Sequence, residues 1–409
     1  MKTLILLPFL ILLTILATSA QSDRPILPEL LVSESGQKIT TSTEWEEIRR
    51  PEILEMFQRQ MYGMASPDFA WDMEINLVEE ERSALNGMAI RKQIDLVISR
   101  RESSHTIPLL IYLPSEADGP VPVFLGLNFY GNQTIHPDRA IRMTENWVPT
   151  RIEFGITENE ATHESRGVRY DRWPVEWILE QGYGIATMYS GDIDPDYHDE
   201  FHNGIHVLEQ GIKRESHAWG TIATWAWGLS RAMDYLETDE DVDEEKVVVF
   251  GHSRLGKTAL WAGATDQRFA AVISNESGCG GAALSKRKHG ETFEVINRNF
   301  PHWFCEAFHD AREEDIPFDQ HMLIALMAPR PVYVASAQKD DWADPVGEYL
   351  SIYHAGPAYE LYGFETLEHP VPPDPLSPVF LQTGYHLRTG KHDHTRYDWM
   401  QVVAWVGRQ

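Results

Sequence analysis

Short apolar runs rich in Val and Ile recur along this 409-residue chain and alternate with stretches of helical periodicity. The later runs are apolar at almost every position, which is typical of strands covered by helices on both faces. The clearest helical stretch covers 216–236, where large apolar side chains form one stripe. The strand-like runs lie at 93–98, 108–113, 121–128, 184–189, 246–250, 269–274 and 331–335. This alternation predicts an α/β three-layer sandwich around a mostly parallel central sheet.

The chain is strongly acidic, with a formal net charge of −27. Such a surface disfavours nucleic acid and anionic lipid as partners, because it repels both. The two cysteines, Cys279 and Cys305, are too few for a metal cluster, and the histidines show no HExxH-type spacing. We therefore expect no metal and no nucleic-acid partner. The two cysteines could form one disulfide or remain as buried thiols.

The N-terminal residues have the pattern of an export signal. Lys2 precedes an apolar run over 4–16, and small residues at 18–20 offer a cleavage site after Ala20. The run is shorter than the ~20 residues that span a bilayer, and no later segment has a membrane-spanning pattern. We predict a signal peptide over 1–20, and hence a secreted or periplasmic protein that is not held in a membrane.

The segment VVVFGHSRLGKT at 247–258 carries the strongest chemical signal. A buried strand is predicted to end at Gly251, a tight turn holds Ser253, and Ala259 starts a predicted helix. Small residues around a serine on a strand-to-helix turn are typical of the nucleophile elbow of α/β-hydrolases. Such a turn exposes the hydroxyl and directs a helix N-terminus at the developing oxyanion. One departure is Leu255, which stands where the GxSxG pattern has its second glycine.

The same letters also fit GxxxxGK[ST], the phosphate-binding P-loop of nucleotide hydrolases. In that alternative Lys257 would hold phosphate and Thr258 a magnesium ion. An exported protein meets little nucleoside triphosphate, however. The candidate second strand is also followed by Asn275 and Glu276 rather than by a metal-binding Asp. The serine-hydrolase interpretation is therefore preferred.

A nucleophilic serine needs a base, and the base needs a group that orients it. In α/β-hydrolases the acid follows a late strand and the histidine lies near the C-terminus. Asp340 follows the last predicted strand, and His392 lies in the turn-rich segment GKHDH at 390–394. Position alone does not separate His392 from His394 or His386. The residues thus predict the chain order serine, acid, histidine.

The segment GHSRLGK at 251–257 resembles the signature of the glucuronoyl esterases, family fifteen of the carbohydrate esterases. That family also lacks a glycine two residues after the serine, so Leu255 is no longer a departure. Further similar stretches are MYG at 61–63, LNFYGN at 127–132, 182–196 ending in DIDPD, SNESGCGGAAL at 274–284, PHWFC at 301–305, WADP at 342–345 and 386–399. Several motifs in the right order make the resemblance specific. It implies an enzyme without cofactor that cleaves esters between 4-O-methyl-glucuronic acid branches of xylan and lignin alcohols.

The resemblance also implies roles for the catalytic residues. By analogy, Ser253 is the nucleophile, His392 is the base, and the side chain of Arg254 helps to hold the oxyanion. Family members place the triad acid at either of two positions, and this chain carries both, as Glu276 and Asp340. Glu276 could instead only cap the end of a strand.

Three more residues match positions that contact the sugar in this family. Lys257 would bind sugar hydroxyls rather than phosphate, and Glu291 would accept hydrogen bonds from vicinal hydroxyls. Trp342 would offer a flat apolar face to the pyranose ring, although it could also be a core residue. An Arg254–Lys257 pair beside the serine suits both the oxyanion and the carboxylate product.

We therefore predict one α/β-hydrolase catalytic domain over 51–409, after a polar lead-in at 21–50. An insertion at about 128–182 is expected to form a lid or wall over the strand ends. The protein is expected to act as a monomer on glucuronoxylan–lignin esters. The alternatives are an acetyl or feruloyl esterase on the same scaffold, the P-loop nucleotide hydrolase, and an inactive relative that only binds polysaccharide.

Overall fold

The structure, a computed structural model, describes residues 26–409, and the predicted signal peptide lies outside this range. Within the described residues, nine strands form one sheet in the order β1-β2-β3-β5-β4-β6-β7-β8-β9. The strands are β1 (Asp72–Ser83), β2 (Ala89–Arg100), β3 (Ser103–Pro114), β4 (Val121–Asn128), β5 (Gly184–Tyr189), β6 (Val242–His252), β7 (Ala271–Asn275), β8 (Val332–Ala337) and β9 (Thr383–Arg388). The strands from β4 to β9 pair in parallel, and β1, β2 and β3 form an antiparallel edge. The predicted α/β architecture is confirmed.

Helices cover both faces of the sheet. Along β6, Val247 and Val249 pack into the larger core on one face, whereas Val248 and Phe250 pack into the smaller core on the other. Burial on both faces explains why residues 247–250 of this strand are all apolar. The helices are α1 (Ser42–Glu44), α2 (Arg50–Gln60), α3 (Ala84–Gly87), α4 (Val175–Glu180), α5 (Ser190–Ile193), α6 (Thr221–Leu236), α7 (Arg254–Thr265), α8 (Phe293–Asn299), α9 (Gln320–Ala325), α10 (Pro345–Glu360) and α11 (Arg396–Val406).

All seven predicted strands are present, but two further strands were not predicted. β1 is an edge strand whose residues are mostly exposed, and its run of glutamates hides the alternating pattern. β9 is fully buried, yet it carries His386 and Arg388. These two side chains are paired with Asp398 inside the protein, so β9 is buried without being apolar.

Two helices begin at other residues than predicted. α7 begins at Arg254, directly after Ser253, and not at Ala259. α6 begins at Thr221 rather than at 216, because Gly220 occupies its N-cap. The stretch predicted as a polar lead-in already turns helical at Ser42. It is also anchored, since Arg49 donates to Leu30 O at 2.9 Å.

Residues of the stretch predicted as an insertion, at about 128–182, lie against the end of β6. Trp173 is buried, with its ring centroid 5.3 Å from that of Phe250 on β6. At the start of the insertion, the ring of Phe129 lies 6.3 Å from that of His252. The boundaries of the catalytic domain remain a prediction.

The parallel strands end at one edge of the sheet, and neighbouring strands are in register there, as in the pair His252 and Asn275. Ser253 follows β6, Glu276 follows β7, Asp340 lies after β8 and His392 lies after β9. Sites of α/β proteins form at this carboxyl edge because adjacent strands deliver their following residues together. The topology thus collects the four predicted catalytic residues.

The structure also bears on the cysteines and on membrane insertion. Cys279 and Cys305 are both buried free thiols, so they form no bridge. Among the described helices, none is long and apolar enough to cross a membrane.

Candidate active site

Ser253 occupies the sharp turn between β6 and α7. Its backbone has φ 57° and ψ −128°, a region that residues other than glycine rarely adopt and that costs about 1–3 kcal/mol. The turn is so tight that a Cβ at Gly251 would collide with the carbonyl oxygen of Leu255. The N–H of Ser253 donates to Asn275 O at 2.9 Å, which ties the turn to the end of β7. This geometry has the features of the predicted nucleophile elbow.

The shifted second glycine of the elbow has a packing explanation. Leu255 is buried in the larger core. Gly256 approaches the loop after β7, where a Cβ would lie 3.0 Å from the Cβ of Ser277. Close approach is therefore required one position later than the GxSxG pattern assumes.

His392 lies beside the elbow with its Nδ1 atom facing two carboxylates. Nδ1 is 2.6 Å from Asp340 Oδ2 and 3.2 Å from Glu276 Oε2. The centroid of the ring is 4.6 Å from that of His252, the residue before Ser253. A neutral imidazole held in this way carries its proton on Nδ1, which leaves Nε2 as an acceptor. The structure therefore brings His392 together with both predicted acids next to the elbow.

The two other histidines that the sequence offered as candidate bases, His386 and His394, are both buried in the protein interior. His386 is buried, and its Nε2 lies 2.8 Å from Asp398 Oδ1. His394 is also buried, with its ring 5.1 Å from that of Trp399, and burial lowers the pKa of His394 to about 4. Of the three, His392 is the candidate base.

Burial and carboxylates act in opposite directions on the pKa values at this site. Burial disfavours the imidazolium of His392, but the hydrogen bonds and charges of Asp340 and Glu276 outweigh it and raise its pKa to about 9. Burial raises the pKa of Glu276 to about 7, although His392 and Arg388 oppose it. Burial also disfavours the charge on Asp340, but the hydrogen bond and charge of His392 outweigh it and lower the pKa of Asp340. The surroundings thus favour Asp340 as the ionised partner of the imidazole.

Glu276 is more than a strand cap. Its carboxylate is fully buried and accepts from Arg388 Nη2 at 2.5 Å and from Asp393 N at 3.0 Å. Its backbone adopts the left-handed region, with φ 48°, and its N–H donates to Ala335 O on β8. Glu276 therefore connects the ends of β7 and β8 with the loop that carries His392.

The side chain of Arg254 lies in an aromatic pocket beside the serine. Its guanidinium pairs with Asp196 and lies 5.1 Å from the ring of Trp303 and 5.6 Å from that of Phe300. Its Nε atom is buried and has no hydrogen-bond partner among the described residues. A fixed cation with a spare donor suits an oxyanion.

Lys257, Glu291 and Trp342 form a second group near the serine. Lys257 is buried on α7, with Nζ 2.5 Å from Ser277 O and 4.0 Å from Glu291 Oε2. Burial raises the pKa of Glu291 and lowers that of Lys257, in each case against the charge of the other residue. The backbone N–H of Glu291 donates to Trp342 O, and Trp342 is 55% exposed, so it is not a core residue. An exposed indole beside a buried ion pair is suited to a sugar ring and its hydroxyls.

Known proteins resemble this chain along most of its length. A sequence profile described as "Glucuronyl esterase, fungi" matches residues 212–363. The carbohydrate esterase MZ0003 of an unknown prokaryotic organism is 51% identical over 93% of this chain and 88% of its own length. A 4-O-methyl-glucuronoyl methylesterase of Neurospora crassa is 35% identical over 82% of this chain and 73% of its own. The chain belongs to the glucuronoyl esterase family. The solved glucuronoyl esterase of Solibacter usitatus is 43% identical, with a TM-score of 0.87 over 93% of this chain and 97% of the other.

Membership of the glucuronoyl esterases makes the P-loop alternative wrong, and the structure gives the physical reason. Helix α7 already begins at Arg254, so residues 251–258 do not form an open loop that could wrap a phosphate. Lys257 is buried against Ser277 O and Glu291. Thr258 has no exposed surface, and its hydroxyl donates to Arg254 O at 3.1 Å.

One group of side chains in this esterase consists of residue types that can bind a metal ion. Ligand atoms of Glu276, Asp340 and His392 lie within 4.8 Å of one another. Their closest contacts are the hydrogen bond and ion pair between Nδ1 and the two carboxylates. These contacts explain why the three residues lie together without a metal ion: His392 pairs with both carboxylates, so each of the three side chains already has a partner.

Sequence reasoning missed several residues of the esterase site. Asp196 pairs with Arg254 and also accepts from His302 Nε2 at 3.0 Å and Trp303 Nε1 at 2.8 Å. The pKa of Asp196 is lowered because the charge of Arg254 and these two donors outweigh burial. Asp196 belongs to the DIDPD motif, and His302 and Trp303 belong to PHWFC. The sequence gives no indication that these two motifs are in contact. Arg388 was missed in the same way.

Proposed function

We propose that this esterase hydrolyses glucuronoyl esters through Ser253 and His392, with Asp340 and Glu276 as the acids. The observation that carries the proposal is the contact of His392 Nδ1 with both carboxylates, at 2.6 and 3.2 Å, beside a strained serine turn. Its relatives include the 4-O-methyl-glucuronoyl methylesterase of Neurospora crassa. The buried Lys257–Glu291 pair supports a sugar acid as the acyl group, because an acetyl group has no hydroxyl groups that these two residues could bind.

In the proposed mechanism, Ser253 Oγ attacks the ester carbonyl while His392 Nε2 takes the hydroxyl proton. Asp340 and Glu276 hold the Nδ1–H and stabilise the imidazolium that forms. The Arg254 guanidinium and the N–H at the start of α7 stabilise the oxyanion. His392 then returns the proton to the departing alcohol, and water hydrolyses the acyl-enzyme by the same steps.

We further propose the natural setting of the reaction. The acyl group is the 4-O-methyl-glucuronic acid of xylan, the alcohol belongs to lignin, and residues 1–20 export the protein, which acts as a monomer. Insertion residues such as Phe129 beside the elbow are suited to an aromatic alcohol. A glucuronoxylan–lignin fraction as substrate and the hydrodynamic mass of the secreted protein test these points directly.

Side-by-side kinetics test the substrate proposal. Wild type should cleave the benzyl ester of glucuronic acid with a far higher kcat/KM than a small aryl acetate. Ser253→Ala and His392→Ala should lose about 10³–10⁶-fold in kcat on both substrates while keeping the fold.

The sugar contacts have an internal control in the aryl acetate. Lys257→Ala and Glu291→Ala should weaken cleavage of the glucuronate ester about tenfold or more, because binding energy from remote contacts is used in the transition state. The same variants should barely change cleavage of the aryl acetate. A wild-type preference for acetyl or feruloyl esters would transfer the function to those carbohydrate esterases. A fully inactive wild type that retains xylan would indicate a binding protein.

A further inference from the structure

Arg388 is the last residue of β9, and its buried side chain lies under the turn that carries His392. Its Nη2 atom is 2.7 Å from Lys391 O and 2.7 Å from Asp393 O, the carbonyl oxygens on either side of His392. The same nitrogen lies 2.5 Å from Glu276 Oε1. One guanidinium group therefore contacts the backbone of the base and the carboxylate of an acid at once.

A second anion completes the surroundings of this guanidinium. Arg388 Nε lies 3.2 Å from Asp398 Oδ2. Asp398 is fully buried at the start of α11, where its Oδ2 accepts from Thr395 N and Thr395 Oγ1, both at 2.7 Å. The loop 389–395 is thus fixed to Arg388 at its centre and to Asp398 at its far end. An arginine buried between two carboxylates keeps its charge and loses little freedom on forming this contact.

His392 is 41% exposed and is not enclosed by a core, so the position of its imidazole depends on this loop and on the two carboxylates that contact Nδ1. We propose that Arg388 is a positioning residue for ester hydrolysis: it fixes both the turn of His392 and the carboxylate of Glu276 in the geometry that serves Ser253. The inference rests on the proposed role of His392 as the base. Arg388 does not touch the substrate, so its effect should fall on kcat and leave KM nearly unchanged. Displacements of about 1 Å in such a set lower rates about 100-fold.

The test compares Arg388→Met and Arg388→Lys with a matched control, Arg330→Met. Arg330 also donates to backbone carbonyls, at 2.9 Å to Phe269 O and 2.5 Å to Gly263 O, but it precedes β8 at the opposite edge of the sheet. Arg388→Met should lower kcat on the glucuronate ester about 100-fold with KM within about twofold of wild type. Arg388→Lys keeps the charge and should recover part of this loss. Arg330→Met should lower Tm and leave kcat within about twofold of wild type.

A double variant protects the test against misfolding. Arg388→Met leaves the carboxyl group of Glu276 buried without its cation, so Arg388→Met/Glu276→Gln should fold better than Arg388→Met. If Arg388 acts partly through Glu276, this double variant should lose less kcat than the product of the two single losses. The acid limb of the pH–rate profile should also shift in Arg388→Met, which a purely structural role would not cause.

The outcomes separate the two proposals. A folded Arg388→Met or double variant with kcat within twofold of wild type would overturn the positioning role, as would a loss confined to KM. So would a kcat loss in Arg330→Met as large as that in Arg388→Met. If Ser253→Ala retained activity, the proposed function itself would fall, whatever Arg388 does.

Discussion

Removing the two acids of His392 singly and together tests how the base is oriented. In Asp340→Ala, His392 Nδ1 loses its contact at 2.6 Å but keeps Glu276 at 3.2 Å. A hydrogen bond between charged groups contributes about 1.5–3 kcal/mol, which corresponds to about 10- to 150-fold in rate. Glu276→Ala should cost less, about tenfold, because Arg388 and Asp393 N already share its oxygens.

The double variant should cost more than these two losses combined. Without either carboxylate, nothing fixes the tautomer of His392 or stabilises its imidazolium, and the loss of that function costs about 10⁴-fold in kcat. Independent effects would multiply to about 10²–10³-fold at most. The shortfall between these values measures the overlap of the two acids.

The assay is kcat on the benzyl ester of glucuronic acid, with Tm measured on the same samples. Asp341→Ala is the matched control, because it removes an exposed carboxylate next to Asp340 and should leave kcat unchanged. A silent Asp340→Ala together with a Glu276→Ala as severe as the double variant would refute the overlap and make Glu276 the sole acid. A double loss equal to the product of the single losses would also refute it.

Three further predictions concern the pH dependence of activity, the pH dependence of stability, and backbone strain. Only the neutral imidazole of His392 can accept the proton of Ser253, and the pKa of His392 is raised to about 9. We therefore expect kcat/KM to rise with pH up to about 9. A pH–rate profile that is flat from pH 6 upward would contradict this prediction. The pKa of a histidine in the unfolded chain is about 6.5, so the protonated form of His392 should stabilise the folded protein fully below that pH. This contribution to the free energy of unfolding should be lost as the pH rises through about 9. The free energy of unfolding of His392→Gln should lack this pH dependence. Ser253→Gly should relieve the backbone strain at φ 57°, whereas Ser253→Ala keeps the Cβ atom and the strain. In denaturant unfolding, Ser253→Gly should therefore have a free energy of unfolding about 1 kcal/mol higher than that of Ser253→Ala. Equal free energies for these two inactive variants would show that the turn is not strained.

The sequence predicts the central sheet well because its parallel strands are buried by apolar side chains. The prediction fails where burial depends on polar pairing. His386 on β9 is satisfied by Asp398 and by the hydroxyl of Tyr333, partners that lie 12 and 53 residues away. Hydrophobic periodicity carries no information about such partners. β1 was not predicted for the opposite reason, because an exposed edge strand needs no apolar face.

The catalytic residues could be predicted because chain order and strand order are linked in this fold. The residues that support them could not. Asp196, in the segment after β5, contacts Arg254 at the start of α7, and these two positions are 58 residues apart. His392 could be separated from His386 and His394 only when the surroundings of all three were known. Local patterns identify candidates, whereas long-range contacts choose between them.

The sheet itself explains why two acids can serve one histidine. Adjacent parallel strands lie about 4.8 Å apart, and β7 and β8 are in register at Asn275 and Ala335. A carboxylate placed just after either strand can therefore reach the same imidazole from the next loop. Topology does not choose between them, so charge must. The ionised form of Asp340 is favoured by His392 itself, whereas the ionised form of Glu276 also depends on the buried cation of Arg388. If Arg388 were lost, Glu276 would become neutral more readily than Asp340, and Asp340 alone would orient His392.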